Sequence, residues 1–405
     1  MMKKIILYFI TVLISVTLLV SLIFQQEIRQ LYQTIRLFEE DRIVHNFSHM
    51  ADIFPTIEVE RSGPVYSFQN DPKALPDSFW YNGRNHSIQN WIDETRTTAL
   101  LVVRDSSITY ESYFLNTNEM DKRISWSMSK SFLSALFGIA VSEGFIPDLN
   151  VAATEFVPEL KGTGYDGITI KNLLQMSSGI YFNEDYGDFN SDINRFGRAI
   201  ALGDSFDEFA ASLQTDPERK QGTYLHYVSI DTHVLGMVLR AATGKPLKEF
   251  FEKKIWSKAG FEYNAHFIAD GTGEPMVLGG LNMTTRDYAR FATLIRDEGK
   301  RFGSEIIPYD WLVDSLTPDA PHLLPGKRDN ATTPFGYGYQ WWIPERDEGE
   351  PVDFMGIGIY GQYMYINPEL DIVILKNSAD LDFEANNFES DTIATYAFRA
   401  IAESL

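Results

Sequence analysis

Ser125-Trp-Ser-Met-Ser-Lys130, continuing into Ser-Phe-Leu-Ser-Ala-Leu-Phe-Gly-Ile-Ala-Val141, is the stretch on which fold and chemistry turn. It places Ser127 and Lys130 three residues apart at the start of an apolar run with helical spacing. Side chains so spaced share one helix face, so hydroxyl and amine can meet. A helix N-terminus carries partial positive charge, which suits an oxyanion developing on an attacked carbonyl. Serine becomes a useful nucleophile once a neighbouring base takes its proton, and a desolvated lysine can be that base. No other serine in the chain has a lysine three positions later.

Around this stretch the pattern is α+β. Thr98–Asp105 and Ser107–Leu115 read as paired strands with a turn at Asp105, ahead of a buried helix from about Ser127 to Gly144. A helical region follows. Thr169 to Met176 is short and amphipathic, Thr232–Thr243 is closed by Gly244, and Arg286–Glu298 is capped by Thr284 or Thr285. Strands return at Gly338–Ile343, Gln362–Asn367 and Asp371–Asn377, with a closing helix from Asp391 to Ser404. Strands at both ends of a helical middle predict an antiparallel sheet built from the two ends of the domain. Helices flank it, with an inserted helical domain at about residues 145–330. The domain itself is read as 98–405, preceded by a polar stalk and a loop-rich wrapping segment over 27–97.

The first 26 residues differ from the rest. Lys3 and Lys4 precede an uncharged apolar run, Ile5 to Phe24, long enough to cross ~30 Å of hydrocarbon as a helix. No small-residue cleavage pattern follows Phe24, so the segment reads as an uncleaved N-terminal transmembrane anchor. The lysines favour a cytoplasmic N-terminus. The catalytic domain is therefore expected outside the cytoplasm, in the periplasm of a Gram-negative cell.

Composition removes several classes of function. Asp and Glu number 56 against 35 Lys and Arg, a formal charge of −21, which argues against nucleic acid as a partner. With no cysteine there is no disulfide, thiolate metal site or cysteine nucleophile. The seven histidines are scattered without metal-ligand spacing, and no metal or cofactor is expected. His226 and His233, which flank Tyr227, read as hydrogen-bonded structural residues. A Gly-x-Ser-x-Gly elbow is missing, against an α/β-hydrolase. Gly356-Ile-Gly358-Ile-Tyr-Gly361 spells a dinucleotide fingerprint, but it opens a strand where that fingerprint should open a helix.

Taken in order, several segments resemble the serine β-lactamase and penicillin-binding-protein superfamily, in its class C-like branch. They are Trp126-Ser-Met-Ser-Lys-Ser131, Ile168-Thr-Ile-Lys-Asn-Leu-Leu-Gln-Met-Ser-Ser-Gly179, Gly222-Thr-Tyr-Leu-His-Tyr-Val-Ser229, Gly279-Gly-Leu-Asn-Met-Thr-Thr-Arg-Asp287 and Phe335-Gly-Tyr-Gly-Tyr-Gln-Trp341 with Gly358-Ile-Tyr-Gly-Gln362. The Tyr-x-Ser and Gly-Ile-x-Gly-Gln segments are most similar to the 6-aminohexanoate-dimer hydrolases.

The resemblance implies the fold of the β-lactamases and DD-peptidases and an acyl-enzyme on Ser127. It implies Lys130 as the partner of that serine and Tyr227 as the second-motif tyrosine. The backbone N–H of Ile359 would join that of Ser127 in an oxyanion hole. Tyr181, Tyr186, Ser229, Gly358 and Gly361 would contact substrate, a small-molecule amide or ester. Tyr110, Tyr181 and Tyr365 also head Tyr-x-Ser or Tyr-x-Asn patterns, but Tyr110 and Tyr365 fall in strands and Tyr181 in the cleft loop. Competing readings are a catalytically silent surface sensor and a D-amino-acid peptidase acting on cell-wall peptides.

The third motif departs from the family. Where lactamases carry a lysine for the substrate carboxylate, Asp353 to Gly361 holds no Lys, Arg or His. The glycines are expected to leave room for a linear acyl chain, with Arg195 as a distant substitute cation. One member of the aromatic cluster Tyr337, Tyr339, Trp341 and Trp342 is expected to line the pocket.

Overall fold

The computed structural model describes residues 2–23, 25–383 and 388–405. Its frame is an eight-stranded sheet. The order is Gly336–Tyr337, Trp342–Ile343, Phe354–Gly358, Gln362–Asn367, Ile372–Ser378, Thr97–Arg104, Ser107–Tyr113 and Gln69–Asn70. All neighbours are antiparallel except the short Gln69–Asn70 strand, which runs parallel to Ser107–Ile108. The two ends of the domain meet where Ile374 pairs with Val102 in the middle of the sheet, as the strand pattern predicts.

Alternation along the central strands explains the layers. Leu101 and Val103 face one hydrophobic cluster with Val373, Leu375 and the helices of the middle region. Leu100 and Val102 face another, with Ile374 and the closing helix through Ala397, Phe398 and Ile401. A strand covered on both faces reads as a continuous apolar run, and Thr-Thr-Ala-Leu-Leu-Val-Val does so. Each fully buried Leu or Val side chain contributes roughly 1.5–3 kcal/mol, so this strand anchors both layers.

The helix Ser129–Ser142 is buried along nearly its whole length, which is why its sequence is apolar on every side. Phe132 stacks on Phe291 of the helix Thr285–Arg296, with ring centroids 3.6 Å apart. Gly138 faces the indole of Trp311 so closely that a Cβ there would lie 2.2 Å from the ring.

Several local expectations change. Residues 54–87 carry four short strands, among them Thr56–Val59, which joins a second sheet with Ala265–Ile268, Leu281–Thr284 and Lys122–Ile124. The middle region is thus not helical alone. Gly338–Ile343 is not one strand. Gly336–Tyr337 and Trp342–Ile343 pair with each other, and the chain reverses between them through Gln340 at φ 65°. The polar segment after residue 26 forms the helix Gln25–Ile35 and then packs inward, with Leu37, Ile43 and Phe47 buried in the main core.

The segment read as an anchor forms the helix Met2–Ile23; Met1 and Phe24 lie outside the described residues. Among the described residues no helix is long and apolar enough to cross a membrane, so the fold lends the transmembrane reading no support.

Replacing Gly138 by alanine gains up to about 1 kcal/mol of helix propensity, but the new methyl overlaps a Trp311 ring pinned by Phe137 and Tyr339. Overpacking wins. Gly138→Ala should lower stability by about 1–3 kcal/mol, read as a lower denaturant midpoint.

Candidate active site

Ser127 does not lie on the long helix itself. It sits on a single 3₁₀ turn, Trp126–Met128, that runs into Ser129–Ser142. Trp126 has φ of 43°, a left-handed conformation that non-glycine residues rarely adopt. The turn is held by Ser125 N–H donating to Leu281 O at 2.8 Å and by packing of Trp126 among Phe38, Phe47 and Tyr360. Strain of this kind persists where surrounding packing over-determines it. Here it presents the serine hydroxyl to the cleft.

Lys130 is one turn further on. Its Nζ lies 2.9 Å from Ser127 Oγ, 3.2 Å from Ser229 Oγ and 2.8 Å from Leu278 O. The amine is fully buried. Desolvation lowers its pKa to about 7, opposed by the negative charges of Glu184 and Asp231. A neutral amine keeps two protons to donate and carries a lone pair, with Ser127 Oγ at 2.9 Å within its reach.

Ser229 begins the helix Ser229–Thr243. Its hydroxyl donates to Glu184 Oε1 at 2.5 Å, and its N–H donates to Glu184 Oε2 at 3.2 Å. Tyr186 OH donates to the same carboxylate at 2.8 Å. Burial raises the pKa of Glu184, while Lys130 and these donors oppose the rise. A chain therefore runs from Ser127 through Lys130 and Ser229 to Glu184. Ser229 is its middle, which the expected substrate contact did not anticipate.

Tyr227 precedes that helix by two residues. Lys130 Nζ lies 5.1 Å from its ring centroid. Trp342 stacks on the ring at 5.2 Å. Burial and then Glu184 push the phenol pKa upward, while Ser127 and Ser229 are close enough to oppose the rise. The resting tyrosine is a neutral proton donor.

Ile359 and Gly358 line the cleft beside Ser127, as does Gly361. The strand Phe354–Gly358 crosses so close that a Cβ on Gly358 would lie 2.5 Å from Ser125 O and 3.1 Å from Ser127 N. Only glycine permits that approach. Gly356 is different: a Cβ there would meet Met364, Ser131 and Met128 at 3.1–3.8 Å, inside the fold. It leaves no open space for a substrate chain, and Ile357 and Gly358 are the strand residues that reach the cleft.

Other expectations shift as well. Tyr181 is 57% exposed and lies outside the cleft. The loop is extended there, so Ile180 and Phe182 point inward and Tyr181 points out. Glu184, not singled out from the sequence, is the loop's contribution together with Tyr186. Its signal was an acidic residue in the loop already placed at the cleft. Arg195 bonds Asp192 at 2.6 Å and stacks on Phe209, away from the cleft. His226 Nε2 lies 2.9 Å from Phe182 O, and His233 pairs with Asp207. Trp342 is the aromatic that lines the pocket. Among the described residues no group of His, Asp and Glu could hold a metal ion.

The beta-lactamase family model matches residues 88–389, which contain Ser127, Lys130, Glu184, Tyr227, Ser229 and Ile359. The chain belongs to the beta-lactamase family. It is 30% identical over 341 residues to the 6-aminohexanoate-dimer hydrolase of Paenarthrobacter ureafaciens, covering 82% of this chain and 84% of that one. A solved structure provisionally named a 6-aminohexanoate-dimer hydrolase, from Bacillus anthracis, superposes with a TM-score of 0.80 at 25% identity, covering 91% of this chain and 95% of that one. A D-stereospecific amidohydrolase from Streptomyces shares the fold, with a TM-score of 0.57 at 16% identity over 78% of this chain and 96% of that one. This member of the family is a hydrolase, similar to 6-aminohexanoate-dimer hydrolase.

Because burial makes Lys130 neutral above about 7, kcat/KM on an ester should fall about tenfold per pH unit below that value and level off above it. Glu184 raises the lysine pKa. Glu184→Gln should therefore move this acidic limb to lower pH in a pH–rate profile.

Proposed function

We propose that this hydrolase cleaves an amide or ester bond through an acyl-enzyme on Ser127. The observation that carries the reading is the buried Lys130 amine 2.9 Å from Ser127 Oγ, with the Tyr227 ring 5.1 Å from the same amine and lining the same cleft. Lys130 takes the Ser127 proton as Oγ attacks the carbonyl carbon. Backbone N–H groups of Ser127 and Ile359 receive the developing oxyanion. The bond to the leaving group breaks, Tyr227 gives that group a proton, and Lys130 returns a proton to Tyr227. Water then attacks the acyl-enzyme by the reverse relay, releasing the acid and restoring Ser127.

The substrate is uncharged near the scissile carbonyl. The Tyr227 side of the cleft holds Glu184, Asp185 and Asp391 and, among its described lining residues, no Lys or Arg. A carboxylate entering beside these groups is costly. Uncharged linear amides and small esters fit better than β-lactams. Lys3 and Lys4 ahead of the apolar N-terminal run further support a membrane-anchored enzyme with its catalytic domain outside the cytoplasm. Full-length protein recovered in the soluble fraction without detergent would refute the anchor.

A fluorophosphonate probe should label wild type and leave Ser127→Ala unlabelled; equal labelling would overturn the acyl-enzyme. Lys130→Ala and Tyr227→Phe should each lower kcat by about 10²–10⁴. The double variant should lose far less than the product of the two, since both belong to one proton relay. Nitrocefin should be turned over with a kcat/KM well below that on p-nitrophenyl esters.

A further inference from the structure

Ser127 stands between two cavities. The first, about 400 Å³, contains Tyr227, Glu184, His226 and Trp342. The second, about 590 Å³, shares Ser127, Tyr186 and Ile359 with it among the described lining residues. Its wall is apolar, formed by Phe196 and Ile200 on the helix Asp192–Leu202 and by Ile268, Met276 and Leu278 behind. The remaining side comes from the N-terminal segment: Leu31 and Ile35 on the helix Gln25–Ile35, then Leu37 and Phe38. That helix lies against Asp192–Leu202, so the cavity is a slot between two helices leading to the nucleophile.

From this arrangement we infer that the second cavity holds the acyl chain of the substrate, and that the enzyme prefers esters or amides of medium- and long-chain aliphatic acids. The inference rests on the acyl-enzyme reading above and deepens it. Tyr227 lines the first cavity and not the second. A group that protonates the leaving atom stands on the leaving-group side, so the acyl chain extends the other way. The volume lies within the roughly 300–1,000 Å³ usual for small-molecule pockets.

The chemistry of the wall selects the chain. Arg198 is the one charged residue among its described lining residues, and its guanidinium is held by the carbonyl and the ring of Phe189. A chain ending in an ammonium group finds no carboxylate there, and leaving that charge unpaired is costly. The rim is apolar too, with Ile35 73% and Phe189 70% exposed. Apolar residues exposed together at the mouth of an apolar slot fit a substrate that arrives with an aliphatic tail. The N-terminal segment is on this reading part of the specificity pocket as well as a connection.

Gly197 gives a direct test. It lies on the wall, within the helix Asp192–Leu202, and a Cβ there would meet nothing within 4 Å. A larger side chain therefore enters the cavity and not the fold. In wild type, kcat/KM on p-nitrophenyl esters, assayed below their micelle concentrations, should rise about tenfold or more from acetate to octanoate, as apolar surface is buried. Gly197→Phe should remove most of that rise, lowering the octanoate-to-acetate ratio about tenfold. The ω-amino octanoate ester should be far poorer than octanoate in wild type.

A flat or falling chain-length profile in wild type, or an unchanged ratio in Gly197→Phe, would overturn the inference. Failure of the hydrolase reading would look different: no turnover of any ester and no labelling of Ser127. The cavity is then tested by dodecanoate binding to wild type, followed through the fluorescence of Trp126 on its wall. Saturable binding that Gly197→Phe weakens supports the slot; no binding, or binding indifferent to that substitution, refutes it.

Discussion

Everything at this site depends on keeping one amine dry. Lys130 sits beneath the cleft with its Nζ surrounded by Ser127, Ser229 and the Leu278 carbonyl. Removing water from an ammonium group is costly, and the amine responds by shedding its proton near neutral pH. The same desolvation keeps Tyr227 protonated. One physical cause thus acts on both halves of the proposed proton relay, the base at Lys130 and the acid at Tyr227. A more open site would reverse the lysine's role, since a hydrated ammonium has no lone pair to offer.

Dryness in turn depends on close packing from three directions. The strand Phe354–Gly358 presses on the nucleophile turn through Gly358, where no side chain fits. The helix Ser229–Thr243 brings Ser229 and Tyr227 from one side, and the loop after Gly179 brings Glu184 from another. Trp126, held at a positive φ by the aromatic rings around it, closes the floor. These elements are far apart in the chain and meet because the central sheet joins the two ends of the domain. The N-terminal segment adds Phe38 and Leu37, which places it within the working part of the molecule.

Much of this was legible in the sequence because it is local. The Ser-x-x-Lys spacing, the apolar run after it and the Gly244 stop are decided within one or two helical turns. Contiguous apolar runs, Tyr363–Ile366 and Ile372–Leu375, likewise mark strands covered on both faces. The reversal through Gln340 was missed because Gly338-Tyr-Gln-Trp-Trp-Ile343 is apolar enough to pass for one strand. Tyr181 was misplaced because an extended loop alternates its side chains, and only the neighbouring chain at Gln214 and Thr215 fixes which set points inward.

The sequence by itself determined the fold class, the pairing of Ser127 with Lys130 and the tyrosine motif, since each is written in contiguous residues. The tertiary structure decided the proton roles, the carboxylate and the shape of the cleft. Glu184 matters only because folding buries it against Ser229, 45 residues away. Gly356 and Gly358 look alike in the chain, yet one faces packed side chains and the other the nucleophile turn. Charge state and free volume are properties of an environment assembled from distant segments, and no local pattern of residues records them.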